Sequence, residues 1–427
     1  MDLVVEGKAY VNGSIQQCCI RIKEGKIQEI KKILTGDTRI NSGKLLILPA
    51  GIDVHVHFRD PGYIHKEDFF TGSLSAAFGG TTCILDMPNT NPPAVTEHVL
   101  KEKHENVRKK SVVDYGVAAG ITIDNLAQLP DLSPWCQGFK IFLGSSTNAM
   151  TLPPSHLPKA FQITEQIHKP VFIHAEDERC LQQHYMITNS LRDHERSRPP
   201  QCEETSIQHV MQSSKQVSHS IHIYHVSSGE GIQALRQRPS TLSVGVTPHH
   251  LLLDISQLVQ HQTYFKVNPP LRQHFDREIL FEALQQGVIS LIESDHAPHT
   301  QKEKEQEFNE APSGIPGVET RYPLLLALAQ QNHLSLPQVI TWCCEKPAQL
   351  LNVPKGRIAE GMDADLILVD WKQHAQVHAD ALHTKCEWTP FEGWKAVFPS
   401  QVLLRGKTLI TDGEFLERPG CGQCYGG

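Results

Sequence analysis

Hydrophobic and polar positions change their spacing twice along this chain. Over residues 1–50 they alternate in short pieces, LVVEGKAYVNG and CCIRIKEGKIQEI, broken by Gly and Asn, which is the pattern of antiparallel strands. The same character returns in GRIAEGMDADLILVD (356–370) and SQVLLRGKTLITDGEF (400–415). Between these ends, apolar or β-branched runs recur at about 46–56, 80–86, 111–118, 138–143, 170–174, 220–226, 242–247 and 287–293. Helix-like stretches separate most of them; HKEDFFTGSLSAAFGG (65–80) closes on a glycine C-cap signal. Eight strands alternating with helices predict an α/β fold, a (β/α)8 TIM barrel. A doubly wound open sheet is the competing architecture, and the absence of a Gly-rich dinucleotide fingerprint after the first strand argues against it. The expected division is a barrel over 51–350 and one small β-sandwich domain built from 1–50 and 351–416. The Gly-rich end, 417–427, reads as a flexible tail.

Composition narrows the function classes. A chain of 427 residues with 39% hydrophobic positions can bury a large core, and a net charge of −7 argues against nucleic acid or an anionic membrane as partner. No apolar run reaches transmembrane length, and MDLVVEGKAY lacks the features of a signal peptide. The 11 cysteines include adjacent pairs, Cys18–Cys19 and Cys343–Cys344, and show no disulfide framework, so reduced thiols in the cytoplasm are expected.

In a barrel, chemistry gathers at the C-terminal ends of the strands. The first run ends in GIDVHVHFRD, where Asp53, His55 and His57 share one strand face and Arg59 continues it. Two imidazoles at this spacing can grip one metal ion. Later runs bring further candidates to the same rim: Asn89 and Asn91 in MPNTNPP, Lys140 in GFKIFLGSST, His174 in VFIHAED and His225 in IHIYHVSS. The last run, VISLIESDHAPH, delivers Asp295, His296 and His299. Lys140 is flanked by apolar strand neighbours, so desolvation favours its neutral amine. Such an amine can form a carbamate with carbon dioxide and bridge two divalent metals; a buried ion pair is the plain alternative. Two metals sharing a water would lower its pKa, and Asp295 could take its proton and pass it to a departing nitrogen. Zn, Mn, Co and Fe all suit such ligands, and prevalence favours Zn.

These residues, in this order, resemble the cyclic-amidohydrolase branch of the amidohydrolase superfamily: dihydroorotases, allantoinases and hydantoinases. DVHVHFRDPG, DMPNTNPP, VTPHHLLL, VNPPLR, SDHAPHT and APSGIPGVET look like the dihydroorotases in particular. The resemblance implies reversible cyclisation of N-carbamoyl-L-aspartate to L-dihydroorotate in pyrimidine synthesis. It implies that His55, His57 and Asp295 hold one metal, that His174 and His225 hold the other, and that carboxylated Lys140 bridges them. It further implies that Arg59, Asn89 and His299 bind the substrate carboxylate, while Asn268 and the Ser313–Gly314 backbone contact the ring amide. Arg59 has independent physical content, because a fixed guanidinium suits a carboxylate that allantoin and hydantoins lack. A homodimer, association with aspartate transcarbamoylase and a cytoplasmic location are expected with the family. The rival readings are an allantoinase or hydantoinase, and a catalytically inactive scaffold.

Three features stay outside this reading. The CGQC of Cys421 and Cys424 is a lone CxxC on a Gly-rich end. QKEKEQE (301–307) alternates charge like a solvated face, and GSSTNAM (144–150) could form a lid.

Overall fold

The computed structural model describes residues 2–145, 150–215 and 217–426. Its central sheet contains the strands Gly51–Val56, Thr81–Asp86, Asp114–Gly120, Gly138–Phe142, Val171–His174, Ile221–Ile223, Leu242–Val246 and Leu291–Ile292. Each pairs in parallel with the next in the chain. The first and last strands meet through a parallel bridge between Val56 and His296 and a hydrogen bond from the His57 N–H to His296 O at 2.8 Å. The ring of strands is thereby closed, and the expected barrel is present. Strand residues are buried almost without exception, because helices cover the outside and side chains fill the inside. The helix read from 65–80 runs Phe69–Phe78: Asp68 caps it by accepting from the Phe70 and Thr71 N–H groups, so the four residues before stay outside.

The termini build a second, eight-stranded sheet. From the N-terminal part come Asp2–Val11, Ser14–Lys23, Lys26–Lys31 and Thr38–Pro49; from the C-terminal part come Leu366–Val369, Pro399–Leu404, Lys407–Thr411 and Glu414–Phe415. The two parts join where Leu366–Val369 pairs antiparallel with Leu46–Pro49. Ile27 near one edge and Leu403 near the other belong to the same hydrophobic cluster, so this sheet wraps around a core of its own.

Several expectations need correction. The apolar run 46–56 is two strands, not one: Leu46–Pro49 ends a terminal-sheet strand, and Gly51–Val56 starts the barrel. Both halves are buried, in different sheets, so no polar residue marks the break. The terminal sheet is not wholly antiparallel, since Asp2–Val11 and Thr38–Pro49 run parallel. The tail expected to be flexible packs instead: Tyr425 is buried in the barrel core, and its N–H donates to Tyr115 O at 3.1 Å. Not all thiols are free, because Cys180 and Cys202 form a disulfide. Within the charged run 301–307, Lys304 is fully buried. Of the lid reading, 146–149 lie outside the described residues.

Candidate metal centre

Six side chains converge at the C-terminal ends of the strands. Asp295 Oδ1 lies 2.9 Å from His57 Nε2 and 3.3 Å from His55 Nε2, and the two imidazole nitrogens are 3.2 Å apart. Beside them His174 Nδ1 and His225 Nε2 face each other at 3.2 Å, and the rings of His55 and His225 lie 5.2 Å apart. Lys140 reaches the same cavity from the middle of its strand; its Nζ is buried without a hydrogen-bond partner, 4.1 Å from the centre of the Tyr224 ring.

Outer partners fix which nitrogens carry protons. The His57 Nδ1–H donates to Asn89 Oδ1 at 2.5 Å, leaving the Nε2 lone pair aimed inward. The His174 Nε2–H donates to Glu176 Oε2 at 2.8 Å, leaving Nδ1 inward. Burial alone would raise Glu176, but Arg198 and His174 outweigh it and hold this carboxylate well below the usual range. Burial, then Lys140 and the neighbouring imidazoles, pushes His55 far below the ordinary histidine value; burial and then His174 do the same to His225. Neutral imidazoles whose lone pairs point at one another repel unless a cation lies between them. The donor set therefore fits divalent metal ions, with His55, His57 and Asp295 one group able to hold one.

Backbone strain concentrates at the same place. Arg59, His225 and Asp295 have φ of 62°, 38° and 45°, a region that non-glycine residues seldom enter. For His225 the compensating contact is visible: its N–H donates to buried Glu293 Oε1 at 2.7 Å.

The other side of the cavity is cationic. Arg59 is buried and its Nη2 lies 3.3 Å from His299 Nε2. Lys66 donates to His299 Nδ1 at 3.0 Å, so the ring proton sits on Nε2, which donates to Ser313 O at 3.1 Å. Burial, then Arg59 and Lys66, keeps His299 well below the ordinary value and hence neutral. Asn268 lines the cavity and its Oδ1 accepts from His194 Nε2 at 3.0 Å. Ser313 and Gly314 line it too, although the Gly314 N–H is already donated to Lys266 O at 2.9 Å. Asn89 faces the cavity while holding His57.

Two candidates fall elsewhere. Asn91 is exposed, and His296 turns away from the cavity, its Nδ1 accepting from the Gly317 N–H at 3.1 Å and its Nε2 lying 3.5 Å from Glu67. Sequence reasoning missed Glu176, Arg198, Lys66, Glu293 and His194. Glu176 and Glu293 carried a signal, each two positions from a candidate ligand and so on the same strand face. Lys66 and His194 lie in loop and helix segments where no such periodicity operates.

Comparison with known proteins agrees with this architecture. A family model described as amidohydrolase family matches residues 46–409. A dihydroorotase from Methanosarcina acetivorans is 36% identical over 97% of this chain and 93% of its own. Dihydroorotases from Halobacterium salinarum (38%, covering 96% and 97%) and Thermoplasma volcanium (39%, covering 98% and 97%) are similar along their length. Among solved structures, an L-hydantoinase (dihydropyrimidinase) from Arthrobacter aurescens superimposes with a TM-score of 0.94 at 27% identity, covering 99% of both chains. A dihydropyrimidinase from Brevibacillus agri gives 0.91 at 25%, covering 99% and 98%.

Proposed function

The chain belongs to the amidohydrolase family, and from that premise we propose that it catalyses the dihydroorotase reaction, the reversible cyclisation of N-carbamoyl-L-aspartate to L-dihydroorotate in pyrimidine synthesis. The observation that carries this reading is the buried Arg59 guanidinium in the cavity that holds the metal-type donors. An allantoin or hydantoin ring carries no carboxylate to neutralise that charge, so the fold likeness to hydantoinases weighs less than this pocket.

In the proposed site His55, His57 and Asp295 would hold one divalent ion, His174 and His225 would hold a second, and Lys140, as a carbamate, would supply a further ligand. Ions bound there would polarise the scissile carbonyl and lower the pKa of water. Arg59 clamps the substrate carboxylate, and neutral His299 offers its Nε2–H to it in exchange for Ser313 O. Asn89 has its Oδ1 occupied by His57, which leaves its amide NH2 for the same carboxylate. The Asn268 amide, steadied by His194, and the Ser313–Gly314 backbone meet the ring amide. Asp295 takes a proton from the attacking water and returns it to the departing ring nitrogen. The barrel, 51–350, carries this chemistry in our reading, with 1–50 and 351–416 as its bracing β-domain.

Zinc as the native metal, a homodimer, association with aspartate transcarbamoylase and a cytoplasmic location complete the proposal. Elemental analysis, sedimentation and co-purification address the first three. The decisive experiment supplies purified protein with dihydroorotate, N-carbamoyl-L-aspartate, allantoin and dihydrouracil. Turnover of the first pair is expected; activity confined to the uncharged rings overturns the reading. A folded preparation that refuses added Zn would favour the inactive scaffold.

A further inference from the structure

The Cys180–Cys202 disulfide stands apart from the chemistry above, yet it braces the wall behind the site. Cys180 lies in the short helix Glu178–Gln183 that follows His174, and Cys202 in the helix Pro200–Ser214. The chain between them leaves the wall and returns. On this excursion Tyr185 and Ile187 are exposed, while two other residues reach inward: Arg198 to Glu176, the partner of His174, and His194 to Asn268. The Asp177 N–H to Cys202 O bond at 2.9 Å closes the same loop.

A chain with this much buried core is not of the small kind that depends on disulfides. The other nine cysteines are free thiols, Cys421 and Cys424 among them. The Cα atoms of Cys180 and Cys202 are 5.3 Å apart, a spacing that also suits two thiols on an unmoved backbone. Access is one-sided, because Cys180 retains 7% exposure and Cys202 none. An imidazole stands at the accessible sulfur: the His184 Nδ1–H donates to Cys180 O at 2.9 Å and lies 3.8 Å from Cys180 Sγ, and a donor in that position favours the thiolate over the thiol.

We propose that Cys180 and Cys202 form a reversible thiol-modification site, exchanging with low-molecular-weight disulfides and dithiols, whose state sets how firmly Glu176 and Asn268 are held. In the oxidising direction the Cys180 thiol loses its proton to water, and its thiolate, beside the His184 Nδ1–H, attacks a disulfide RSSR, expelling one thiolate that takes up a proton as RSH. The Cys202 thiolate then displaces the second from the mixed disulfide. Two protein thiols are oxidised, RSSR is reduced to two RSH, and protons balance. Reduction by a dithiol reverses both steps and removes the covalent closure of residues 181–201.

The test uses the whole protein in two states, treated with oxidised glutathione or with dithiothreitol. Alkylation in denaturant should label nine cysteines in the first state and eleven in the second, the difference mapping to Cys180 and Cys202. Amide exchange across 181–199 should quicken on reduction, and metal loss to a chelator should accelerate about ten-fold, the lower end for loosened outer partners of metal ligands. Cys180→Ser should behave as the reduced form under either treatment, and Cys202→Ser likewise if it folds. Eleven labelled cysteines after oxidised glutathione, or equal exchange and metal retention in both states, would overturn the proposal. Labelling and exchange need no turnover, so failure here is separable from failure of the dihydroorotase reading.

Discussion

Lys140 reaches the cavity from between apolar strand neighbours, and that placement sets its chemistry. Burial is the main influence, drawing its pKa down to about 7 against the opposing pull of Asp295 and Glu293. Near neutral pH the amine is therefore available to carbon dioxide without first shedding most of its charge. The sign is definite. Below about pH 7 the ammonium predominates and carbamate formation slows about ten-fold per pH unit, whereas above it the rate levels off. Reactivation of metal-free protein by bicarbonate and Zn, followed against pH, reads this directly, and a rate unchanged between about pH 5.5 and 7 would remove the lysine from the bridge. Lys140→Ala should abolish activity, with partial recovery in a short-chain carboxylic acid that stands in for the missing bridge. Arg59→Gln should keep its metals while kcat/KM for dihydroorotate falls by roughly 10²–10³-fold, as expected for losing one charged partner in a buried pair. The candidate ligands were legible because a polar residue ending an apolar strand is conspicuous. Lys66 was not, since in HKED it resembles any lysine entering a helix until folding places it against His299.

Elements, not single residues, decide whether the cavity keeps its shape. Residues 308–314, which bring Ser313 and Gly314 to the cavity, form no regular structure, and two buried lysines hold them. Lys266 Nζ donates to Phe308 O and Ala311 O, each at 2.7 Å, and to Asn309 O at 3.2 Å. Lys304 Nζ donates to Pro312 O at 2.9 Å, Gly314 O at 3.1 Å and Lys266 O at 3.3 Å. Lys304→Met would leave Pro312 O and Gly314 O without that donor, each at a cost of about 1–3 kcal/mol if it stays buried, while Lys266 O keeps the Gly314 N–H. The loop should shift rather than bear it, so KM for dihydroorotate should rise about ten-fold or more while metal content stays unchanged. Kinetics paired with elemental analysis checks this, and metal loss with unaltered KM would contradict it. Strands were easier to read than such loops. Eight apolar runs announce eight strands whatever packs on them, but a lysine in QKEKEQE shows nothing of the carbonyls that will surround it. His194 is hidden for a related reason, as it meets Asn268 from a helix 74 positions away in the chain.

At the scale of the whole molecule, barrel and terminal sheet are tied by charge as well as by apolar packing. Lys355 Nζ lies 2.8 Å from Asp114 on a barrel strand, 3.1 Å from Asp363 and 2.7 Å from Asp365. Burial works against its charge, yet the three carboxylates prevail and raise its pKa above the ordinary lysine value. Lys355→Met would leave Asp365 without its cation, while Asp114 keeps Arg405 and Asp363 keeps Lys26, and a loss of about 3–5 kcal/mol is expected in denaturant unfolding. The C-terminal segment makes a second tie that composition concealed, since CGQCYGG has the Gly content of a loose end. Folded, it lies along the start of the third barrel strand, with Tyr115 N–H donating to Gln423 O at 2.9 Å, and it delivers Tyr425 into the cluster of Ile52, Phe172 and Tyr224 inside the barrel. Gly116 makes room for it, because a Cβ there would sit 2.4 Å from the Tyr425 hydroxyl. That hydroxyl is buried and has no hydrogen-bond partner, so the ring's contribution is apolar filling and the oxygen is a cost. Two substitutions separate these contributions. Tyr425→Phe should leave stability unchanged or raise it by about 1 kcal/mol. Tyr425→Ala should lower it by about 3–5 kcal/mol, as for other large aromatic residues removed from a core. If alanine cost no more than phenylalanine, the segment would not be filling the barrel, and its removal should then leave unfolding untouched.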